Sequence, residues 1–162
     1  DEADFYEAIA SFKGASKRLE KIAESSNKVA YKDFAHSPSK VSATTKAVKA
    51  QYPDRKLMAC LELHTYSSLN AEFLKEYEGA LDAADVAVVF YSPDAVKIKQ
   101  LDEVSYEQIA QSFNRKDLII YTNPTEFKDY LFAQDFNNSA LLLMSSGNYG
   151  GLNFDEVKQL VN

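Results

Sequence analysis

The sequence predicts an α/β fold: a three-layer, Rossmann-like, mostly parallel sheet with helices on both faces. Short apolar segments alternate with helical segments of about 10 residues, which is the order of crossover units. Residues 57–63 are largely apolar, as expected of a strand buried on both faces. Hydrophobic residues make up 46% and charged residues 26% of the chain, a composition typical of a globular domain.

Each element is predicted from its periodicity and from the residues that begin or end it. Gly14 and Pro53 end the first two helices, because glycine tolerates a left-handed helix end and proline restricts the residue before it. Asn123 can cap a later helix. The predicted elements are a helix at 4–12, strands at 18–24 and 29–34, a helix at 39–52, a strand at 57–63, a helix at 73–83, a strand at 86–91, a helix at 106–113, a strand at 118–121, a helix at 125–133, a strand at 140–144 and a helix at 155–161. The first two strands predict a short antiparallel hairpin at the start of the sheet, and residues 92–104 form the longest irregular connection.

Length and charge limit the kind of protein. The 162 residues predict a single domain, since typical domains have about 100–150 residues. The 18 basic and 24 acidic residues give a net charge of −6, so neither nucleic acid nor a membrane is expected as a partner. Cys60 is the one cysteine and no signal peptide is recognisable, which together favour a reducing, cytoplasmic location. Because the chain starts at Asp1 and not at Met, we expect it to be part of a longer protein.

Asp33 and His36 follow the second predicted strand and precede a helix. In open α/β sheets, ligands bind beyond the carboxyl ends of the strands. A carboxylate at this position can accept hydrogen bonds from ribose hydroxyls, and a helix start favours negative charge. The pair indicates a nucleotide corner, although the same residues also fit a capped and packed turn.

A small basic cluster surrounds Gly14 in this otherwise acidic chain. Lys13, Lys17 and Arg18 could bind a phosphate, the arginine as a planar fork and the lysines as point charges. A solvated turn explains the three residues equally well.

Two further loops follow apolar strands. His64 begins the polar segment 64–68, which could line a substrate cleft or be a helix cap with a surface histidine. Residues 145–151 contain three glycines, which allow backbone to approach a ligand closely but also suit an ordinary strand-to-helix turn. Ser145, Ser146 and Asn148 are the polar candidates in this second loop.

The sequence lacks the motifs of several chemistries. There is no GxxxxGK[ST] phosphate loop, so a loop that binds the phosphates of ATP would lie outside this chain. Two histidines and one cysteine do not have zinc-ligand spacing, and there is no GxSxG nucleophile motif. We therefore assign no catalytic or metal-binding residue.

Several segments together resemble a known family. Residues 32–38, Lys-Asp-Phe-Ala-His-Ser-Pro, are similar to the motif Asp-Asp-Tyr/Phe-Ala/Gly-His-His-Pro of the C-terminal domain of the Mur ligases. Residues 12–20 resemble the family's phenylalanine, glycine and paired-basic stretch, and residues 52–55 and 83–85 also fit. The Mur ligases are cytoplasmic ATP-dependent ligases that build or recycle the peptide of bacterial cell-wall precursors, and the resemblance extends over nearly the whole chain.

The ending indicates a branch of that family. Residues 144–152, Met-Ser-Ser-Gly-Asn-Tyr-Gly-Gly-Leu, resemble the segment Met-Ser-Asn-Gly-Gly-Phe-Gly-Gly-Ile of the murein peptide ligases. This resemblance implies a peptidoglycan-recycling ligase that joins the tripeptide L-alanyl-γ-D-glutamyl-meso-diaminopimelate to UDP-N-acetylmuramate through an acyl phosphate. ATP and Mg²⁺ would be held mainly by a central domain that this chain lacks. The UDP-N-acetylmuramate–L-alanine ligase branch is the alternative, because residues 61–67 also resemble its Gln-Pro-His-Arg-Tyr-Ser stretch.

The resemblance implies roles for individual residues. Nucleotide-binding residues would be Lys17, Arg18, Asp33 and His36; substrate-binding residues would be His64, Ser145, Ser146 and Asn148. The chain would work with its own N-terminal and central domains and be inactive alone. The chain departs from the family motifs at Lys32, Ser37, Thr65 and Ser68. These departures keep open a non-catalytic binding domain that has retained the scaffold.

Overall fold

The structure is a computed structural model that describes residues 19–65, 69–94 and 104–162. The predicted helix at 4–12 lies outside these ranges. The described elements are β1 (Glu20–Glu24), β2 (Lys28–Asp33), α1 (Pro38–Gln51), β3 (Lys56–Glu62), α2 (Ala71–Leu74, continued by a 3₁₀ turn at Lys75–Tyr77), β4 (Val86–Phe90), α3 (Tyr106–Phe113), β5 (Ile119–Tyr121), α4 (Pro124–Phe132), β6 (Ser139–Met144) and α5 (Phe154–Val157, continued by a 3₁₀ turn at Lys158–Leu160).

The six described strands form one mixed sheet in the order β1-β2-β6-β3-β4-β5. β1 pairs antiparallel with β2, and the other described pairs are parallel. The chain leaves one position of the sheet empty between β2 and β3 and continues through β4 to β5. It then returns through α4, and β6 fills that position between β2 and β3. The prediction of a mostly parallel sheet with a short antiparallel hairpin at its start is confirmed.

Helices cover both faces of this sheet, and the sheet separates the hydrophobic core into two clusters. On the first face, the helices α1, α2 and α3 bury apolar side chains that include Val48, Leu74 and Phe113. On the second face, α4 and the segment from α5 onward bury Leu131 and Val161 among others. β3 is buried from Leu57 to Glu62, as predicted for a strand between two helical layers.

One predicted helix is wrong in extent. The helix predicted at 73–83 begins earlier, at Ala71, where the side chain of Asn70 accepts hydrogen bonds from two backbone N–H groups of the first turn. The helical part ends at Tyr77, since Gly79 has a φ of 76°, a conformation that does not continue a helix. Residues 78–83 form turns, although the helical spacing of the apolar residues continues through this segment. The spacing alone therefore predicts a helix that is too long.

The long connection predicted at 92–104 is only partly described, since residues 95–103 lie outside the described ranges. It leads to α3, which begins with a capping box in which the side chains of Ser105 and Gln108 each accept a hydrogen bond from the other's backbone N–H. None of the helices within the described residues is long and apolar enough to cross a membrane.

Asp85 fixes the starts of the neighbouring strands β3 and β4 at the amino edge of the sheet. Its Oδ2 accepts hydrogen bonds from the Leu57 backbone N–H at 2.8 Å and from Lys49 Nζ at 2.9 Å. Arg115 donates to the Asp85 backbone carbonyl at 3.1 Å. Burial alone would raise the pKa of Asp85, but Leu57, Lys49 and Arg115 together hold that pKa below its usual value.

Replacing Asp85 by asparagine is expected to lower the free energy of unfolding by about 1–2 kcal/mol at neutral pH, because a charged hydrogen-bond acceptor is lost. The folded-state pKa is lowered, so the contribution is present above the unfolded aspartate pKa of about 3.9 and disappears as pH falls through the folded value. Urea unfolding at pH 7 and pH 3 measures both effects. The exposed Asp54→Asn is the control, and equal effects of the two variants would contradict this role of Asp85.

Candidate functional site

A cleft of about 490 Å³ lies at the carboxyl ends of β2, β6 and β3. The described residues that line it are Glu20, Lys32, Asp33, Phe34, His64, Leu143, Ser145, Ser146, Gly147, Asn148, Tyr149 and Phe154. Most of these residues are polar or aromatic, and all but Glu20 and Phe154 lie at or just after the ends of three adjacent strands. The cleft therefore occupies the edge at which open α/β sheets bind their ligands.

Strand alternation determines which residues meet in this cleft. Consecutive side chains of a strand point to opposite faces, so Lys32 lies on the same face as Ala30, and Glu62 on the same face as Cys60. Leu143 belongs to that face as well and pairs with Lys32 across the parallel strands. Asp33 alternates with Lys32 and is assigned to the face that α1 covers. The cleft thus extends around the end of β2 from one face toward the other.

Glu62 is a buried carboxylate at the end of β3, only 3% exposed. Its Oε1 accepts a hydrogen bond from the Ser145 hydroxyl at 2.5 Å and from the Tyr149 backbone N–H at 2.8 Å. Its Oε2 lies 3.8 Å from His64 Nδ1. A buried carboxylate needs such donors, and these donors connect the end of β3 to the turn that follows β6.

The turn after β6 fits closely around Glu62. Gly147 donates its backbone N–H to Ser145 Oγ at 2.7 Å. A Cβ at position 147 would approach both Glu62 Oε1 and the His64 ring to 3.1 Å, so a larger residue would push the turn away from β3. The Oγ of Ser146 is buried and has no hydrogen-bond partner among the described residues.

The Tyr149 side chain holds the same turn against β3 and the end of β6. It is fully buried with a φ of 56°, and its hydroxyl lies 2.6 Å from the Met144 carbonyl and 2.9 Å from the Cys60 carbonyl. Burial raises the pKa of Tyr149 well above its usual value, and the neighbouring Cys60 and Glu62 reinforce that increase. The hydroxyl therefore stays protonated and can donate to either carbonyl.

The predicted nucleotide corner is a tight turn. Asp33 Oδ1 accepts the Ala35 backbone N–H at 2.7 Å, which fixes the carboxylate at the end of β2. His36 Nδ1 lies 2.8 Å from the Phe34 carbonyl, and its ring packs edge-on against the Phe34 ring at a centroid distance of 5.2 Å. The Tyr77 hydroxyl donates to the His36 carbonyl. The Phe34 side chain is 39% exposed at the rim of the cleft.

The structure brings five of the predicted site residues to one place. Asp33, His64, Ser145, Ser146 and Asn148 all line the cleft, while His36 lies beside it in the turn. The other two predicted residues, Lys17 and Arg18, are outside the described residues. The roles of all eight remain predictions.

Sequence reasoning gave no role to Glu62 or Lys32. Glu62 is one acidic residue at the end of an apolar strand, and its only sequence signal is that apolar context. Lys32 was noted as a departure from a family motif, not as a ligand-binding residue. Across the described ranges, no three or more His, Cys, Asp or Glu side chains lie close enough to hold a metal ion.

A three-layer, mostly parallel α/β domain with a polar cleft beyond the carboxyl ends of its strands has the Rossmann-like architecture, in which ligands bind at that edge of the sheet. Comparison with known proteins gives the family. Residues 17–147 match the model of the family described as Mur ligase, glutamate ligase domain, and the chain belongs to that family.

The sequence relatives include two UDP-N-acetylmuramate–L-alanine ligases. The enzyme from Sulfurihydrogenibium sp. is 31% identical over 115 residues, which are 71% of this chain and 25% of that protein. The enzyme from Agathobacter rectalis is 27% identical over 161 residues, which are 98% of this chain and 34% of that protein. The chain therefore spans about a quarter to a third of these curated relatives.

Solved structures share the fold. A murein peptide ligase from Psychrobacter arcticus superposes with a TM-score of 0.70 at 19% identity, over 96% of this chain and 32% of that chain. A UDP-N-acetylmuramate–alanine ligase from Thermotoga maritima gives a TM-score of 0.61 at 17% identity, over 94% of this chain and 30% of that chain. At these identities the likeness establishes the fold of the domain.

Replacing Glu62 by alanine is expected to lower the free energy of unfolding by about 2–4 kcal/mol, because the Ser145 hydroxyl and the Tyr149 N–H lose their buried acceptor. Glu62→Gln keeps an oxygen acceptor at that position and should cost less than half as much. Urea unfolding of both variants measures the difference. Equal losses would contradict hydrogen bonding as the reason for the effect.

Proposed function

We propose that this chain is the C-terminal domain of an ATP-dependent ligase that joins murein tripeptide to UDP-N-acetylmuramate in peptidoglycan recycling. In this proposal residues 1–162 form one domain, which receives the peptide and delivers its amine to a reaction centre on the protein's own central domain. The observation that supports the proposal is the polar cleft, which lies at the edge where open α/β sheets bind ligands and is lined by the candidate substrate residues. In this proposal the protein acts in the cytoplasm.

The size of the cleft favours a peptide over a single small amino acid. A volume of about 490 Å³ falls within the roughly 300–1,000 Å³ of pockets that enclose drug-sized molecules. One alanine would fill only a small part of this space. Gly147 and Asn148 both line the cleft, so in this proposal a bound peptide runs along the turn after β6.

The chemistry of ligation assigns this domain a positioning role. ATP supplies a phosphoryl group that converts the carboxylate of UDP-N-acetylmuramate to an acyl phosphate on the central domain. The peptide amine then attacks the acyl carbon, phosphate leaves, and an amide bond forms. A domain that holds the amine at the correct distance and excludes water accelerates this step without a nucleophile of its own.

The nucleotide would be contacted from the same edge of the sheet. The Asp33 carboxylate is fixed at the end of β2 and is suited to accept hydrogen bonds from ribose hydroxyls. His36 lies next to it, and Arg18 and Lys17 are proposed to reach the phosphates. In this proposal Mg²⁺ is held mainly by the central domain, together with the phosphates of ATP.

A UDP-N-acetylmuramate–L-alanine ligase is the second candidate. The observation that favours it is the sequence similarity to two such enzymes, at 31% and 27% identity. A third candidate is a binding domain without ligase activity, favoured by the replaced motif positions Lys32, Ser37, Thr65 and Ser68.

One assay separates these candidates. The full-length protein is incubated with ATP, Mg²⁺, UDP-N-acetylmuramate and either the tripeptide or L-alanine, and ADP and the amide product are measured. We expect turnover with the tripeptide and little with L-alanine. The opposite preference supports the alanine ligase, and no turnover with either supports the binding domain. The 162-residue chain alone should give no product, because it contains no phosphate loop.

In the full-length protein, Asp33→Ala is expected to raise the KM for ATP about tenfold, because a charge-assisted hydrogen bond to the ribose is lost. The KM for the tripeptide should change less than twofold. Steady-state kinetics at saturating concentrations of the other substrates measure both constants. Asp54→Ala is the control, and an unchanged KM for ATP in the Asp33 variant would remove the ribose assignment.

Replacing Asn148 by phenylalanine should raise the KM for the tripeptide at least tenfold while leaving the KM for ATP nearly unchanged, because the larger ring fills the peptide cleft. The matched control is Asn137→Phe, an exposed position at the opposite end of β6. If both variants bind the tripeptide as the wild type does, the turn after β6 does not contact the peptide.

A further inference from the structure

His64 and Glu62 form a carboxylate–histidine pair at the end of β3. The Nδ1 atom of His64 lies 3.8 Å from Oε2 of Glu62. The Glu62 side chain is buried, whereas the His64 side chain is 42% exposed and lines the cleft. The histidine therefore lies between a buried carboxylate and the space in which a ligand would bind.

The two oxygens of Glu62 have different partners. Both neutral donors, the Ser145 hydroxyl and the Tyr149 backbone N–H, bond to Oε1. Oε2 has His64 as its one partner among the described residues. A buried carboxylate favours a positive charge beside it, so Glu62 is suited to stabilise the imidazolium that forms when His64 accepts a proton.

The surroundings of the His64 ring determine its orientation. The Cγ–Cδ2 edge of the ring packs against Gly147, where an added Cβ would come within 3.1 Å of Cδ2. Because Nδ1 faces Glu62 and the two ring nitrogens of an imidazole diverge, Nε2 points away from the carboxylate. A neutral imidazole that carries its proton on Nδ1 therefore has Nε2 free to accept another. The 3.8 Å separation exceeds a hydrogen bond, and such distances between catalytic groups commonly shorten when substrate binds.

The other charged side chains that line the cleft are less suited to accept a proton. Lys32 is a cation, and Glu20 lies 3.6 Å from it. The Asp33 carboxylate accepts the Ala35 backbone N–H. Carboxylates are weak bases at neutral pH, whereas an imidazole is the side-chain group best suited to accept a proton there.

We propose that His64 is the general base of amide formation and that Glu62 is a positioning residue that acts through it. This inference rests on the proposed function. When the peptide amine nitrogen bonds to the acyl carbon, the bond from that carbon to the phosphate oxygen breaks, and phosphate leaves with the electron pair. The proton that the nitrogen must lose passes to Nε2 of His64 and then to solvent.

The test separates the two chemical steps in the full-length protein. Acyl phosphate formation is followed without peptide, by positional isotope exchange in oxygen-labelled ATP with UDP-N-acetylmuramate. Amide formation is followed in single turnovers with the tripeptide. In His64→Gln we expect amide formation to slow about 100-fold, a loss typical of a missing general base. Acyl phosphate formation and the KM for the tripeptide should each change less than threefold.

Chemical rescue distinguishes a base from a structural side chain. In His64→Ala, added imidazoles should restore part of the rate of amide formation. The restored rate should rise with the basicity of the imidazole used, because the added base takes the proton in the rate-limiting step. A rescued rate that does not depend on basicity would contradict the inference.

Glu62→Gln tests the positioning role. We expect amide formation to slow about tenfold, because the imidazolium loses its negative neighbour. The double variant Glu62→Gln/His64→Gln should be no slower than His64→Gln alone, since the carboxylate acts through the histidine. Losses that multiply would overturn the positioning role. Urea unfolding verifies that each variant is folded under the assay conditions.

His36→Gln is the matched control, because it removes the other histidine of the chain. The Nδ1 atom of His36 lies beside the Phe34 backbone carbonyl and not beside a carboxylate. We expect this substitution to raise the KM for ATP and to slow amide formation no more than acyl phosphate formation.

The outcomes distinguish this inference from the function on which it rests. If the wild type forms both acyl phosphate and amide, and His64→Gln slows neither step or both equally, the inference is wrong and the proposed function stands. If only the KM for the tripeptide rises, His64 binds the peptide without accepting its proton, and the inference is again overturned. If the wild type forms no amide with the tripeptide, the proposed function fails, and the inference fails with it.

Discussion

The buried carboxylate of Glu62 is the interaction on which the arrangement of the cleft depends. A carboxylate that is 3% exposed is stable only when donors satisfy it, and the nearest donors come from the turn after β6. Because one oxygen accepts from both ends of that turn, the loop cannot drift from β3 without leaving a charge unsatisfied inside the protein. Hydrogen bonds to Glu62 therefore hold the cleft wall against β3, although the wall consists of a glycine-containing loop.

The topology of the sheet makes this interaction possible. β6 is the last strand in the chain but lies between β2 and β3, so the loops of three sequence-distant strands meet at one edge. At the opposite edge, Asp85 holds the starts of β3 and β4 in register through a backbone N–H and a lysine. The two carboxylates thus act at the two ends of β3, Asp85 at the start of the strand and Glu62 at the edge that carries the cleft.

The sequence predicts the scaffold better than the site for a physical reason. Burial on both faces imposes an apolar pattern on strands such as β6, and that pattern can be recognised in the sequence itself. The helix predicted at 73–83 was too long because periodicity does not report the backbone conformation of Gly79. Glu62 was missed because its partners Ser145 and Tyr149 are 83 and 87 residues away, and no local pattern reports such a contact. The sequence places Ser145, Ser146 and Asn148 correctly at the cleft, because they follow a strand end and the loops after strand ends meet at one edge of such a sheet; their substrate-binding roles remain predictions.

The alternation of Lys32 and Asp33 at the end of β2 separates two neighbouring side chains. Consecutive residues of a strand point to opposite faces, so Lys32 lies on the face of Ala30 and Leu143 while Asp33 lies on the other face. A substitution at one of these two positions can therefore change the chemistry on one side of the sheet and leave the other side as it is.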